Sequence, residues 1–374
     1  MNRRLLAVSM AVTFFALAGC VSARARLQER YSQGLRPLTP VGLEQAGLTR
    51  LWEKDISEVT EGKKVKIQIK DAYLYDTALL VVTADNFVYS FDRQTGEPLW
   101  LAQLPQALKA EPAYFNTKFY CVCGTGLFII DSHGAVAAGG TWHFSVSKPL
   151  LVTDDYIYAV GSDGRLHKVD KLRLNDIWKS PANTESVIAD TPILLEGMFF
   201  FGTEQGEVFA LDRVTGGRRV ELRGLGPIAG RIVTDGQYLY FGSADYHLHC
   251  CTTVGGPVWK KPTEGVMILP PVLAGDTLYA EFLRDGLLAV AKKDGGFLWR
   301  NADAKAFVAS DAARVFAIAG TDEARELWIL DAATGQATAQ VDVKEFALAP
   351  RNLTGDGLVF LVGKSGRIVC LRAK

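Results

Sequence analysis

Histidine and cysteine are the residue types of this chain that could support metal binding or nucleophilic catalysis. His247 and His249 lie two residues apart in one predicted strand, so their side chains would share a face, and His167 lies at a comparable place two repeats earlier. Zinc sites and catalytic dyads need a further ligand or base, and no carboxylate or cysteine cluster stands at a recognised spacing from these histidines. The sequence therefore predicts no metal site and no catalytic residue.

The cysteines have the pattern of buried thiols. Beyond Cys20 there are five, Cys121, Cys123, Cys250, Cys251 and Cys370, and an odd number cannot form a complete disulfide framework. All five occur in apolar, strand-like runs, where cysteine behaves as a small buried hydrophobe. Cys250 and Cys251 are adjacent in a strand, so we expect opposite side-chain directions and no bond between them.

Three acidic residues precede glycines that are typical of tight turns. The pairs are Asp163-Gly164, Asp235-Gly236 and Asp285-Gly286. Aspartate in such pairs accepts hydrogen bonds from nearby backbone groups. We therefore interpret these residues as turn residues and not as paired catalytic carboxylates.

The N-terminus has the pattern of an export signal. Arg3 and Arg4 precede an apolar run that is too short for a comfortable membrane span. It ends in Leu17-Ala18-Gly19-Cys20, which resembles the lipobox of bacterial lipoproteins. The resemblance implies a signal peptide over residues 1–19, lipidation of Cys20 and, since Val21 and Ser22 follow, anchoring in the outer membrane.

Composition and charge exclude some classes of function. The 374 residues include 41 Lys+Arg and 41 Asp+Glu. A chain of zero net charge without a basic tract gives no electrostatic basis for binding nucleic acid. The sequence predicts no nucleic-acid partner.

Beyond the N-terminus, one sequence motif recurs along the chain. Its turn positions fall at Asp92, Asp131, Asp170, Asp212, Cys251, Ala291 and Asp331, which are 39 to 42 residues apart. Within each unit, short β-branched and aromatic runs alternate with turn residues, which predicts four antiparallel strands. Trp100, Trp178, Trp259 and Trp299 each follow the turn position by eight residues and are expected to pack on the neighbouring unit.

The two ends of the repeat array complement each other. The last unit stops at Lys374 without its fourth strand, and residues 46–56 resemble that missing strand, with Trp52 in the tryptophan position. Pairing the two would close a ring and remove its exposed sheet edges. We expect an all-β, eight-bladed β-propeller of four-stranded antiparallel blades over residues 46–374, preceded by a flexible tether over residues 20–45.

The repeated motif resembles the PQQ-like propeller repeat. It stands here as EVFALDRVTGGRRV, FVYSFDRQTGEPLW and LWILDAATGQATA, and the resemblance covers roughly residues 46–374. Two branches of the family suggest different functions. One comprises quinoprotein dehydrogenases, whose vicinal disulfide lies against the quinone and would correspond to Cys250 and Cys251. The other comprises cofactor-free, lipid-anchored propellers of the BamB type.

The short repeat units and the strand position of Cys250-Cys251 favour the cofactor-free branch. BamB-type propellers carry a Leu-x-Leu-Arg-Gly segment between blades that binds the barrel-assembly protein, and Val220, Leu222 and Arg223 would take those places. The family also has an acidic pair before the following blade, where this chain has only Glu264.

The resemblance implies a non-enzymatic propeller without a cofactor, monomeric and lipid-anchored in the outer membrane, facing the periplasm. The resemblance also implies a scaffold for protein partners in the envelope, namely components of the β-barrel assembly machinery. Two alternatives remain, a PQQ-dependent quinoprotein dehydrogenase and a propeller that binds polysaccharide or another ligand. For the latter, Tyr246 and Trp142 are candidate exposed aromatic residues.

Overall fold

The computed structural model describes residues 30–31, 34–56, 67–180 and 187–374. In these residues 33 β-strands form eight sheets, so the prediction of an eight-bladed propeller is confirmed. The predicted signal peptide and Cys20 lie outside the described residues.

The elements follow the order of the repeats. The chain begins with β1 (Leu35–Arg36), the helix α1 (Pro40–Gln45) and β2 (Leu48–Asp55). Blades 1 and 2 comprise β3 (Ile69–Leu74), β4 (Ala78–Thr83), β5 (Phe87–Asp92), β6 (Pro98–Gln103), β7 (Ala113–Phe115), β8 (Lys118–Cys123), β9 (Gly126–Ile130) and β10 (Val136–Thr141). Blades 3 and 4 comprise β11 (Leu151–Val152), β12 (Tyr156–Val160), β13 (Leu166–Asp170), β14 (Asp176–Lys179), β15 (Ile193–Leu195), β16 (Met198–Gly202), β17 (Val208–Asp212) and β18 (Arg218–Leu222).

The second half repeats this plan. Blades 5 and 6 comprise β19 (Ile228–Thr234), β20 (Tyr238–Ser243), β21 (His247–Thr252), β22 (Pro257–Pro262), β23 (Val272–Ala274), β24 (Thr277–Phe282), β25 (Gly286–Ala291) and β26 (Phe297–Asn301). Blades 7 and 8 comprise β27 (Ala304–Ser310), β28 (Arg314–Thr321), β29 (Ala324–Asp331), β30 (Ala337–Asp342), β31 (Phe346–Leu348), β32 (Leu358–Gly363) and β33 (Arg367–Ala373), with β1 added to blade 7 and β2 to blade 8.

The ring closes as the sequence predicts. β2 pairs antiparallel with β33, from Leu48 opposite Ala373 to Asp55 opposite Arg367. The N–H of Lys374 also donates to the carbonyl of Gly47 at 2.9 Å. β2, which precedes blade 1 along the chain, therefore supplies the fourth strand of blade 8, and this pairing covers an edge that an open ring would expose.

The core lies between the blades. The middle strands are buried on both faces, as in β4, where all six residues are buried. A representative cluster joins Tyr158 and Leu166 of blade 3 to Phe199, Phe209 and Leu211 of blade 4. A single four-stranded sheet could not bury both faces, so each blade depends on its two neighbours for burial of its apolar side chains.

The repeated tryptophans pack between blades, which confirms their predicted role. Trp52 lies over Gly96, Trp178 over Gly216, Trp259 over Gly295 and Trp299 over Gly335, each glycine belonging to the next blade. The indole N–H of Trp52, Trp259 and Trp299 also donates to a backbone carbonyl beside that turn, at 2.8 to 3.2 Å.

One turn position differs from the sequence prediction. In blade 5 the residue equivalent to Asp212 is Thr252 and not Cys251, since Thr252 accepts the closing hydrogen bond from Gly255. That turn is one residue shorter than the Asp212–Gly216 turn, which shifts the spacing by one.

Described residues before residue 46 also belong to the fold. β1 pairs in parallel with β30, and α1 follows it. Leu35 and Leu43 are each only 2% exposed. The predicted tether over residues 20–45 is therefore too long, because residues 34–45 pack on the ring. Single buried leucines without a period leave little trace of such packing in a sequence.

Candidate protein-docking face

One face of the propeller carries the connectors between blades and the turns between the second and third strand of each blade. This connector face includes the turns 203–207, 244–246 and 283–285 and the connectors 142–150, 223–227 and 263–271. The sheets hold these loops in fixed relation, which suits a surface that binds another macromolecule.

Val220 and Leu222 lie on β18, the outer strand of blade 4, and both are half-buried. Val220 follows Asp212 by eight residues, the spacing at which other blades carry tryptophan. It contacts the following blade in the same way, since a Cβ on Gly255 would lie 2.9 Å from Val220 Cγ1 and 3.3 Å from Leu222 Cδ2. Much of this apolar pair is thus used in packing between blades 4 and 5.

Arg223 follows β18 and is exposed, with 66% of its side chain accessible. Its Nε donates to Glu221 Oε1 at 2.6 Å, and the same nitrogen lies 3.8 Å from Glu207 Oε1. Burial tends to raise the pKa of Glu221, but hydrogen bonds from Arg223 and Arg218 outweigh it and lower that pKa. Arg223 therefore presents a guanidinium at the surface that a partner carboxylate could share with Glu221.

Blades 5 and 6 add an apolar surface of which only Tyr246 was expected from the sequence. Tyr246, Ile268, Leu269 and Leu283 are each between 41% and 66% exposed. We refer to these four residues as the apolar sector. Clusters of large exposed hydrophobic residues are typical of interaction sites, whereas single ones are ordinary.

The backbone of the apolar sector is fixed by hydrogen bonds. Thr263 donates to the carbonyl of Tyr246 at 2.8 Å, and Leu283 donates to Val266 at 3.0 Å. Ile268 donates to Glu281 at 2.9 Å. Connector 263–271 is thus joined to turns 244–246 and 283–285. No sequence period could have revealed this surface, because its residues come from separate loops.

Glu264 lies beside the apolar sector, at the place where the resemblance leads one to expect an acidic pair. Arg300 Nη1 donates to Glu264 at 2.7 Å, which lowers the pKa of that carboxyl. Asp285 lies 3.3 Å from the same guanidinium, and it accepts the Glu264 N–H at 2.7 Å. Two carboxylates do meet here, but Asp285 comes from the next blade and both are paired with Arg300.

The histidines have carboxylate partners that sequence spacing did not indicate. His249 Nε2 lies 3.1 Å from Asp245, whose other oxygen pairs with Lys260 at 2.9 Å. His167 lies between Asp163 and Asp176. Asp163 is a turn residue, as predicted, because it accepts a hydrogen bond from the Arg165 N–H, but it also contacts this histidine.

The thiols are buried and unbonded, as the sequence predicts. Cys250 packs in the cluster between blades 5 and 6, and Cys251 packs in the cluster between blades 4 and 5. Burial raises the pKa of Cys250 to about 12 and that of Cys251 to about 11. The vicinal disulfide on which the dehydrogenase alternative depended does not form here.

Trp142, one of the two aromatic residues considered for glycan binding, is not exposed. It is 5% accessible and packs against Val146 and Leu150. Its connector folds the indole inward between blades 2 and 3. Tyr246 is exposed as expected.

A family model described as outer membrane protein assembly factor BamB matches residues 42–227 and 219–374. These two matches cover nearly the whole propeller. The chain belongs to the BamB family.

Solved structures agree with this fold. BamB from Moraxella catarrhalis has a TM-score of 0.66 at 16% identity, covering 87% of this chain and 98% of that one. The computationally designed Ika8 protein has a TM-score of 0.64 at 15% identity, covering 82% and 96%. The C-terminal WD40 domain of Sif2 has a TM-score of 0.66 at 10% identity, covering 87% and 98%. At these identities the likeness shows the propeller fold alone.

Among curated proteins, none matches the sequence significantly. The described part of this BamB-family chain contains no helix that is both long and apolar enough to cross a membrane.

Proposed function

We propose that this BamB-family propeller is a non-enzymatic, lipid-anchored scaffold of the outer membrane. It faces the periplasm, without a cofactor, and binds a component of the β-barrel assembly machinery through its connector face. The observation that supports this most directly is the apolar sector, a set of exposed hydrophobic side chains on loops joined by backbone hydrogen bonds.

The chemistry of the connector face suggests the kind of partner surface. The apolar sector would be desolvated by apolar side chains of the partner, which supplies most of the free energy of binding in such contacts. Arg223 lies on the connector from blade 4 to blade 5, and Tyr246 on the adjacent blade 5 turn. A partner carboxylate near Arg223 would add orientation to the apolar contact.

The anchor in this proposal is Cys20. Its support is the lipobox-like Leu17-Ala18-Gly19-Cys20 at the end of an apolar leader. Acyl chains on that cysteine would supply the membrane affinity and confine the propeller near its partners.

The docking proposal predicts that a charge in the apolar sector strongly weakens capture of the partner. In the full-length protein, Leu283→Asp should lower recovery of the barrel-assembly protein from detergent-solubilised outer membranes by roughly tenfold or more, because it places a carboxylate in a desolvated contact. Val254→Asp is the matched control, since Val254 is also highly exposed but lies in the turn after β21, on the opposite face.

The same capture tests the predicted partner residue. Arg223→Glu should weaken recovery, whereas Arg219→Glu, at an exposed arginine of the same strand region that pairs with Asp212, should not. Failure of the unmodified chain to capture the barrel-assembly protein would overturn the proposal, and so would equal recovery with Leu283→Asp and Val254→Asp.

A further inference from the structure

Three potential metal ligands converge between blades 2 and 3. His143 lies in connector 142–150, whereas His167 lies on β13 and Asp176 on β14. Their ligand atoms all lie within 4.8 Å of one another. His167 is 2% exposed, Asp176 is 21% exposed and His143 is 56% exposed, so the group extends from the interior to the surface.

Two of the three distances are close to those between neighbouring ligands of one metal ion. His167 Nδ1 lies 3.2 Å from Asp176 Oδ2, and His143 Nε2 lies 3.0 Å from the same oxygen. Nitrogen and oxygen ligands of tetrahedral zinc, bound at about 2.0–2.2 Å, lie roughly 3.3–3.5 Å apart. The ligand atoms of His143 and His167 lie within 4.8 Å of each other, and a shift of the exposed His143 ring would close that distance.

Asp163 completes the arrangement from the other side of the buried ring. Its carboxylate lies 3.2 Å from His167 Nε2, opposite the nitrogen that faces Asp176. Histidine that binds a metal commonly donates its second N–H to a carboxylate, which fixes the tautomer and orientation of the ring. The ring is held further by Phe144, stacked at 3.8 Å between centroids.

The buried ring of His167 is held between two carboxylates. Its Nε2 faces Asp163 and its Nδ1 faces Asp176, each at 3.2 Å. When Nε2–H donates to Asp163, the lone pair of Nδ1 points toward Asp176 and is available to a metal ion. In blade 5, His249 has a similar contact with Asp245, the counterpart of Asp163, and Asp245 also pairs with the Lys260 ammonium.

We propose that His143, His167 and Asp176 bind a divalent transition-metal ion of the zinc class, with Asp163 as the positioning residue for His167. Two imidazoles and one carboxylate suit Zn²⁺, Co²⁺ or Ni²⁺ better than Mg²⁺ or Ca²⁺, which prefer oxygen ligands. The ion would fasten connector 142–150 to blade 3. Three protein ligands leave a fourth position for water at the connector face.

Calorimetric titration of the chelator-treated full chain with Zn²⁺ tests the site. We expect saturable binding of one ion per chain, and Co²⁺ should give the visible absorption of a tetrahedral site. His143→Ala should weaken Zn²⁺ binding by at least about tenfold. His133→Ala is the matched control, because His133 is also an exposed histidine of blade 2 but lies in the turn after β9. It should leave binding unchanged.

Asp163→Asn tests the positioning role while keeping the acceptor for the Arg165 N–H. It should weaken Zn²⁺ binding by about 10- to 100-fold without changing the number of ligands that the Co²⁺ spectrum reports. Absence of saturable binding to the unmodified chain would overturn the metal site. Equal affinities of the His143→Ala variant and the unmodified chain would do so as well, and an unchanged affinity in Asp163→Asn would overturn the role of Asp163. His143 is exposed, so loss of folding cannot account for the effect of its replacement.

Discussion

At the scale of single residues, the turn glycine of the repeat has two separate requirements. Gly335 has φ of +68°, a conformation that favours glycine. It also lies directly against Trp299 of the preceding blade, whose Cδ2 would be 2.4 Å from an added Cβ. The Thr-Gly pair of the repeated motif thus reflects both a turn and a contact between blades.

Gly335→Ala should therefore destabilise the protein by more than the backbone strain of the turn alone would. Strain at positive φ costs roughly 1–2 kcal/mol, and overpacking against the indole adds about 1–3 kcal/mol. Gly275→Ala is the matched control, because Gly275 has φ of +56° but has no atom within 4 Å of an added Cβ. The free energies of unfolding from denaturant titrations should differ by that second amount, and equal losses would contradict the contact.

At the scale of elements, β2 decides whether the ring is closed. It precedes blade 1 along the chain, yet its partner β33 is the last strand. Trp52 on this strand is 7% exposed and bridges to blade 1, where its indole donates to the carbonyl of Arg93 at 3.2 Å. This one strand thus completes the sheet of blade 8 and links it to blade 1.

Trp52→Ala should weaken this closure strongly. Loss of a large buried aromatic side chain costs about 3–5 kcal/mol, because the cavity collapses only in part. Leu51→Ala, at an exposed neighbour on the same strand, should change the free energy of unfolding by only about 0.5 kcal/mol. Thermal or denaturant unfolding of the two variants measures the difference. A small effect of Trp52→Ala would mean that closure does not depend on this contact.

At the scale of the whole molecule, the repeat places a turn aspartate of lowered pKa in several blades of the ring. Turn aspartates accept hydrogen bonds from the loop that follows them, and the pKa values of Asp92, Asp131, Asp212 and Asp331 are all lowered. In Asp212 the backbone N–H of Thr215 is the main cause, and the pKa falls to about 2 from an ordinary 3.8. Four separate blades therefore share one dependence on pH.

The stability of the ring should fall in acid, because these carboxylates become protonated there. A folded-state pKa below the unfolded value stabilises the protein fully above the unfolded value, so the contribution is lost as pH falls from about 4 to about 2. Thermal melts over that range should show a steady decrease in Tm. Asp212→Asn should have a lower Tm at pH 6 and a shallower decrease, and an identical slope in the variant would contradict the assignment.

The fold could be predicted because its signals repeat. Asp212-x-x-Thr215-Gly216 and its equivalents combine a turn, a period and a packing contact, so each copy supports the others. The errors came where a copy departs from the rule, as in the shorter turn at Thr252. Leu35 and Leu43 belong to no repeat, and so their packing on the ring left no periodic trace.

The candidate sites were harder to predict because they combine residues from different blades. Val220 and Leu222 were identified from one contiguous segment, and the structure shows that both also serve the packing of blades 4 and 5. The apolar sector spans two turns and a connector. His143 and Asp176 are 33 residues apart, and only the pairing of β13 with β14 beside connector 142–150 places both near His167.

The sequence by itself determined the blade count, the ring closure through β2 and the buried state of Cys250 and Cys251, because these follow from period and alternation along the chain. Only the tertiary structure decided which loops meet on the connector face, which aromatic residues are exposed there and which carboxylates surround His167. Contacts of that kind depend on how neighbouring blades are placed against each other. A local pattern of residues does not give the distances between residues of different blades.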